Sequence, residues 1–150
     1  MLVRDSRSTP GLNPLIGPHR EGWGVRFPDM TCIYDKELGN LIRRAAQTSG
    51  VWIKEGVLGV RGGPSYETPS EIKEMEDGGI DAAGMSIANG EAIMANAWGL
   101  KVAALSCISN YAANRRNPPL TQEEVEETLR ETMPRLKLLL STAFELMKNI

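Results

Sequence analysis

Histidine, cysteine and strong net charge are all scarce in this chain of 150 residues. It has one histidine, His19, and two widely separated cysteines, Cys32 and Cys107. A protein-built zinc site needs several such ligands at short spacing, so the sequence predicts no metal site. Two isolated cysteines favour a reducing compartment, and we expect the cytoplasm. The net charge is −2 and no segment is strongly basic, which argues against nucleic acid as a partner.

Long apolar runs are missing as well. The first residues, Met1 to Asp5, become charged too early for a signal peptide, and no segment approaches the roughly 20 apolar residues of a membrane span. Hydrophobic residues make up 41% and charged residues 24% of the chain, which is ordinary for a globular protein. We therefore expect one domain over residues 1–150 that makes no contact with a membrane.

Turn residues and hydrophobic periodicity divide the chain near residue 50. Before it, glycine and proline are frequent, only residues 2–3 and 24–27 look extended, and a helix containing Leu38, Ile42 and Ala45 is expected to stop at Gly50. After it, strands and helices alternate: strands are predicted at 57–61, 80–84 and 100–108, and helices at 69–77, at 89–98 and after Thr121. This alternation predicts an α/β fold with a largely parallel sheet.

A glycine-rich turn from Gly62 to Thr68 links the first of these strands to a helix. Thr68 and Glu71 have the spacing of a capping box. Such a turn leaves backbone N–H groups free and lets the chain approach a ligand closely. Tyr66 and Glu67 then offer a ring and a carboxylate, which suit a planar heterocycle with N–H groups along its edge. The alternative is a capped turn whose Tyr66 and Glu67 are merely exposed.

Two further turns follow strands and carry polar or polarizable side chains. Met85 and Ser86 follow the second predicted strand, and Ser109 and Asn110 follow the third. Because ligands bind beyond the carboxyl ends of parallel strands, we expect all three turns to share one rim of the sheet. Recognition of a heterocycle joined to a sugar fits these residues better than covalent catalysis. The alternatives are a core methionine, a helix N-cap serine and an ordinary turn asparagine.

Six segments are distinctive as a set. They are Asn13-Pro14-Leu15-Ile16-Gly17-Pro18, Val25-Arg26-Phe27-Pro28-Asp29-Met30, Tyr34-Asp35, Gly63-Pro64-Ser65-Tyr66-Glu67-Thr68, Gly84-Met85-Ser86 and Ser106-Cys107-Ile108-Ser109-Asn110. In this order they resemble the purine nucleoside phosphorylase family, in its trimeric branch that prefers 6-oxopurines. The resemblance covers nearly the whole chain but only the carboxyl-terminal half of the family. It implies a three-layer fold with a mainly parallel central sheet flanked by helices, incomplete on its N-terminal side.

The resemblance implies which residues bind the purine. Tyr66 would pack against the base, and Glu67 would accept hydrogen bonds from its N–H edge. Asn110 would contact O6 and N7, with Ser109 beside it where the family has threonine. Glu67 and Asn110 would be the catalytic pair, because Asn110 would stabilise the charge that grows on the departing base. An amide at this position can donate to a 6-oxo group, so inosine or guanosine is favoured over adenosine.

The resemblance also assigns the sugar and phosphate side. Met85 would lie under the ribose, Ser86 would contact phosphate, and Gln122 stands where the family has a ribose-contacting histidine. The implied reaction is phosphorolysis of a purine nucleoside, with inorganic phosphate as co-substrate and no cofactor. The implied assembly is a homotrimer, or a pairing with a partner chain that supplies the other half.

Several features of the family have no counterpart in this sequence. They are the glycine-rich phosphate loop, the Arg-x-His segment that also holds phosphate, and a ribose-contacting tyrosine. The family's Asp-His-Ile-Asn segment reads Asp5-Ser6-Arg7-Ser8. We therefore expect a chain truncated relative to the family, with weak phosphate binding of its own. A non-catalytic purine-binding or subunit-interaction module and a degenerate remnant are the alternatives.

Overall fold

In the computed structural model of the chain, strands and helices alternate from the first residues to the last. The structure describes residues 1–150 apart from positions 10, 12, 86, 87, 114, 116–120, 149 and 150 and the side chain of Ala88. The elements are β1 (Leu2–Ser8), α1 (Lys36–Ser49), β2 (Glu55–Val60), α2 (Pro69–Asp77), β3 (Ala82–Gly84), α3 (Ala88–Ala97), β4 (Ala104–Leu105) and α4 (Gln122–Met147). The predicted α/β class is confirmed, and α2 has the predicted bounds.

The four strands form one mixed sheet in the order β3-β2-β1-β4. The pairs β1–β2 and β2–β3 are parallel, as predicted. The third predicted strand is wrong in length and direction, since β4 has two residues and runs antiparallel to β1. Backbone hydrogen bonds to distant residues fix the direction of residues 102–106. The Val102 carbonyl accepts from the Asp35 N–H at the start of α1, and the Ser106 N–H donates to the Met1 carbonyl.

Helices cover both faces of the sheet. Since β1, β2 and β3 are successive neighbours, right-handed crossovers place α1 and α2 on one face. There α1 packs on α4 through a cluster that contains Leu41, Ala45 and Leu139. On the other face, Ile93 of α3 packs with Val3 and other strand residues in a second cluster. The helices thus bury the apolar residues of both sheet faces, which produces a three-layer arrangement.

The ends of α1 follow from local chemistry. The Asp35 carboxylate accepts a hydrogen bond of 2.8 Å from the Leu38 N–H, so it caps the helix N-terminus. Gly50 ends the helix with φ of +68°, a left-handed conformation that glycine adopts without a steric penalty. The predicted stop at Gly50 is confirmed. Asp35, part of a family motif, therefore has a structural role as a cap.

Two segments differ from the extended pattern expected before residue 50. β1 is longer than predicted, because residues 2–8 all follow the edge of β2 even where they are polar. Residues 24–27 form no strand; the Val25 N–H instead donates to the Ala97 carbonyl at the end of α3. In both cases pairing with distant residues decides the conformation.

None of the helices in the described part of the chain is both long enough and apolar enough to cross a membrane. The described residues also contain no group of three or more His, Cys, Asp or Glu side chains that could hold a metal ion.

Candidate functional site

The β2–α2 loop (residues 61–68) is anchored at both ends. At its start the Arg61 N–H donates to the Gly84 carbonyl at the end of β3, over 3.0 Å. At its end Thr68 Oγ1 accepts from the Glu71 N–H, and Glu71 Oε2 accepts from the Thr68 N–H over 2.8 Å. The predicted capping box is therefore confirmed. The Thr68 N–H and, over 3.0 Å, the Thr68 hydroxyl both donate to the Glu71 carboxylate, and these two bonds lower the pKa of Glu71.

Tyr66 and Glu67 lie side by side on this loop. The Tyr66 side chain is 40% exposed, so one part of its ring is open to a ligand. Glu67 is half-buried, and its Oε1 atom is buried without a hydrogen-bond partner among the described residues. Leaving a buried acceptor unpaired costs at least about 1–3 kcal/mol, and more when it is charged. This oxygen is suited to accept a hydrogen bond from a ligand N–H group.

The turn after β3 touches the β2–α2 loop. Gly63 has φ of +54°, and a Cβ placed on it would lie 2.8 Å from the Met85 sulfur. Met85 is half-buried against this glycine. The structure thus brings together two of the three turns that the sequence placed on one rim. Ser86, the predicted phosphate contact, lies outside the described residues.

Arg61 was not singled out from the sequence, although it helps to hold the loop. Its guanidinium lies 3.2 Å from the carboxylate of Glu74 and 3.9 Å from that of Glu71, both on α2. One arginine therefore links the start of the loop to the helix at its end. No sequence pattern marks this role, because an arginine after a strand is most simply a surface residue.

The third turn belongs to the β4–α4 segment (described residues 106–113, 115 and 121). Ser109 Oγ donates to Asn110 Oδ1 over 2.7 Å, and Asn110 Nδ2 donates to the Tyr111 carbonyl over 3.0 Å. Because β4 runs antiparallel to β1, the chain leaves the sheet after β4 at the edge where β1 begins, and this turn lies there. The prediction that the Ser109-Asn110 turn shares one rim of the sheet with Tyr66 is therefore wrong.

Ser109 and Asn110 line a cavity of about 570 Å³ together with the residues that precede β2 and with α4 residues between positions 124 and 139. Trp52, Lys54 and Arg135 contribute to its wall, whereas Tyr66, Glu67 and Met85 do not. Gln122 does not line it either. Gln122 is exposed in the first turn of α4, where its Nε2 lies 3.4 Å from Glu126 Oε1.

A polar contact between β1 and α3 was also missed. Ser6 Oγ donates to Asn89 Oδ1 over 2.6 Å, and Asn89 is only 5% exposed. The two residues are 83 positions apart, so no spacing in the sequence could show the pair.

Comparison with known proteins supports the resemblance. The family model of the phosphorylase superfamily matches residues 1–145 of this chain. The chain is 44% identical to purine nucleoside phosphorylase 1 of Bacillus subtilis over 127 residues, which is 85% of this chain and 46% of that protein. It is 38% identical to purine nucleoside phosphorylase of Bos taurus over 115 residues, or 73% of this chain and 39% of that protein.

Solved structures show the same fold. A schistosome purine nucleoside phosphorylase in complex with hypoxanthine matches 96% of this chain and 54% of its own, with a TM-score of 0.89 and 30% identity. The Schistosoma mansoni enzyme in complex with inosine matches 96% of this chain and 53% of its own, also with a TM-score of 0.89 and 30% identity. The expected phosphorylase-like fold is confirmed. The chain spans about half the length of the relatives it matches.

Proposed function

Because the chain belongs to the purine nucleoside phosphorylases of the phosphorylase superfamily, we propose that it carries the base- and ribose-binding half of an enzyme that cleaves inosine or guanosine with phosphate. The products are the free purine and ribose 1-phosphate. Inorganic phosphate is the co-substrate, and the reaction needs no cofactor. The observation that carries this proposal is the buried Oε1 of Glu67, which has no hydrogen-bond partner among the described residues.

Glu67 and Tyr66 are the proposed base contacts. A 6-oxopurine presents an N–H group on the edge of its six-membered ring, and Glu67 Oε1 is an acceptor in need of such a donor. The half-exposed ring of Tyr66 offers an apolar face beside it. The loop is anchored by the Arg61 N–H at one end and the capping box of Thr68 and Glu71 at the other. This anchoring lowers the cost of ordering the site when the base binds.

The other assignments rest on the resemblance. Met85 is the proposed ribose contact, and its packing against the β2–α2 loop is in keeping with that role. Ser86 is the proposed phosphate contact, and Gln122 the proposed neighbour of the ribose. Asn110, with Ser109, is proposed to donate to O6 and to stabilise the departing base. For Asn110 this requires the β4–α4 segment to move from the amino-terminal end of β1 to the rim that carries Glu67, and its amide to exchange its present bond to the Tyr111 carbonyl for one to the ligand.

Phosphate binding sets the expected level of activity. Each charge-assisted contact to phosphate contributes about 1.5–3 kcal/mol, and this chain offers Ser86 as its one assigned contact. We therefore propose that full activity requires phosphate contacts from residues outside this sequence, and that the assembly is a homotrimer or a pairing with a partner chain that supplies them. The cytoplasm is the proposed location, in keeping with the free thiols of Cys32 and Cys107.

Calorimetry with hypoxanthine tests the base site directly. We expect the 150-residue chain to bind hypoxanthine and Glu67→Gln to weaken binding about 10- to 100-fold, since a charged acceptor is replaced by an amide. Glu127→Gln, the same exchange at an exposed position of α4, serves as the control and should leave affinity unchanged. Equal affinities for wild type and Glu67→Gln would remove Glu67 from the site and with it the main support for the proposal.

Phosphorolysis and binding together distinguish the proposed enzyme from a non-catalytic purine-binding module. The non-catalytic purine-binding module, which the sequence left open, is the second candidate. Phosphate-dependent release of hypoxanthine from inosine supports the enzyme. Base binding that is indifferent to phosphate, without release, supports the module. A chain that binds neither base nor nucleoside would be a remnant.

Substitution of Asn110 tests the base preference. Asn110→Asp replaces an amide that can donate to a 6-oxo group with a carboxylate that accepts from a 6-amino group. We expect affinity to shift from hypoxanthine toward adenine. An unchanged preference would show that Asn110 does not contact the base.

A further inference from the structure

A buried polar contact fixes the start of α3 to the sheet. Ser6 Oγ in β1 donates to Asn89 Oδ1 over 2.6 Å, and Asn89 lies in the first turn of α3. Asn89 is the buried polar side chain of the described core, at 5% exposure. Buried amides must be hydrogen-bonded, because an unpaired one costs about 1–3 kcal/mol. The position of the first turn of α3 therefore depends on a hydroxyl 83 residues earlier in the chain.

The buried phenol of Tyr34 lies near the Ser6 hydroxyl. Its side chain is 7% exposed, and its hydroxyl makes no hydrogen bond with other described residues. Burial raises the pKa of the Tyr34 phenol, and the neighbouring Ser6 hydroxyl partly offsets that shift. Tyr34 also packs with Ile93 of α3 in the same apolar cluster. Ser6 thus lies between a buried phenol and a buried amide.

Met85 directly follows β3, which ends at Gly84, and precedes α3 in the chain. Its sulfur lies where a side chain on Gly63 would be, against the β2–α2 loop. Because only three residues separate Met85 from Asn89 in the chain, we expect a shift of the first turn of α3 to move Met85 relative to Tyr66 and Glu67.

We propose that Ser6 is a positioning residue which, through Asn89, sets the ribose side of the site at Met85. This inference rests on the proposed function. The base side is anchored separately, by Arg61 and the capping box, so loss of the Ser6 hydroxyl should affect nucleoside binding and spare binding of the free base. That separation distinguishes positioning from a general loss of stability, which would weaken both ligands alike.

The ligand-binding test compares Ser6→Ala with wild type. We expect the affinity for inosine to fall about five- to tenfold, the effect of one lost hydrogen bond, with the affinity for hypoxanthine unchanged within twofold. Ser6→Thr keeps the hydroxyl and should restore inosine binding. Ser49→Ala removes a hydroxyl that bonds only within α1 and is the matched control. Equal losses for inosine and hypoxanthine, or no loss for inosine, would overturn the proposal.

A second measurement needs no ligand. Amide hydrogen exchange over residues 89–93 should be about five- to tenfold faster in Ser6→Ala than in wild type or Ser6→Thr, while exchange in α1 stays the same. Unchanged exchange would overturn the link between Ser6 and α3. A wild-type chain that binds neither inosine nor hypoxanthine would overturn the proposed function, and the exchange result would still decide the link.

Discussion

The β2–α2 loop and the β4–α4 segment both follow a strand and both carry predicted site residues, yet the chain holds them in different ways. The loop is fixed by near neighbours: the end of a parallel strand, a capping box between Thr68 and Glu71, and a glycine at Gly63. The segment is fixed by distant ones: it follows two antiparallel strand residues, bonds to Met1, and lies against α4.

This difference shows why two motifs of the same family resemblance had different structural outcomes. A capping box forms between residues three positions apart, so it can be predicted from the sequence without knowledge of the rest of the fold. Strand direction depends on which distant edge is free to pair, and that is a property of the whole sheet. Tyr66 and Glu67 therefore lie where the sequence placed them, whereas Asn110 borders a cavity that the sequence did not indicate.

The largest expected effect is at the contact between α1 and α4, the helix against which the β4–α4 segment lies. Leu139 of α4 is 2% exposed, packs against α1 and lines the cavity beside Asn110. Leu139→Ala should lower the free energy of unfolding by about 2–5 kcal/mol, because it removes buried methyl groups and leaves a cavity. Leu138→Ala, at a neighbouring position that is 49% exposed, is the control for urea denaturation. Similar losses for both variants would contradict the importance of the contact between α1 and α4.

The next effect is on the β2–α2 loop. Gly63→Ala should cost about 1–3 kcal/mol of stability, because φ is +54° and the new Cβ would collide with the Met85 sulfur. Gly62→Ala is a close control, since a Cβ there meets nothing within 4 Å. Thermal denaturation of the two variants gives the difference. If Gly62→Ala proved as costly as Gly63→Ala, the contact between Met85 and the loop would not be important for stability.

A smaller effect is expected when the N-cap of the helix that follows each segment is removed. Thr68→Ala should lower stability by about 1 kcal/mol and also weaken hypoxanthine binding, because the cap anchors the loop that carries Glu67. Thr121→Ala removes the matching cap of α4, where Thr121 accepts from the Glu124 N–H. It should cost similar stability and leave hypoxanthine binding unchanged. Urea denaturation and calorimetry on both variants provide the test, and equal loss of binding would go against it.

The smallest effect concerns an ion pair between α1 and the start of β2. Arg43 donates from Nε and Nη2 to the two carboxylate oxygens of Glu55, at 2.6 and 2.7 Å. These bonds lower the pKa of Glu55 in the folded state, so their stabilisation is full above its unfolded pKa of about 4.3 and is lost as pH falls through the lower folded value.

Glu55→Gln should therefore cost about 0.5–1 kcal/mol at pH 7, because both side chains are partly exposed. The difference from wild type should shrink toward zero near pH 3. Denaturation at several pH values measures it, with Asp77→Asn in the more exposed pair with Lys73 as control. A difference that is independent of pH would mean that the charge of Glu55 is not responsible.

Much of the fold could be predicted from particular residues. Gly50 marks the end of α1, Thr68 and Pro69 mark the start of α2, and the apolar periodicity identifies α4. The length of β1 was underestimated, because its polar residues hide the alternation of buried and exposed side chains. The direction of β4 could not be predicted, because an apolar run of the same composition pairs equally well with a parallel or an antiparallel edge.

The candidate site divides in the same way. Tyr66 and Glu67 were found from a local pattern, and Met85 from its place after a strand. The roles of Arg61, Ser6 and Asn89 could not be found, since each depends on a partner that lies next to it only after folding.

The sequence by itself determined the kinds of secondary structure, the ends of α1 and α2, and the loop that presents a ring beside a carboxylate. These features depend on backbone conformation and on residues within one helical turn of each other. Tertiary structure alone decided the direction of β4, the length of β1, the cavity beside Asn110 and the contact between Ser6 and Asn89. Each of those requires segments far apart in the chain to meet, and that choice is made by packing and strand pairing across the whole sheet.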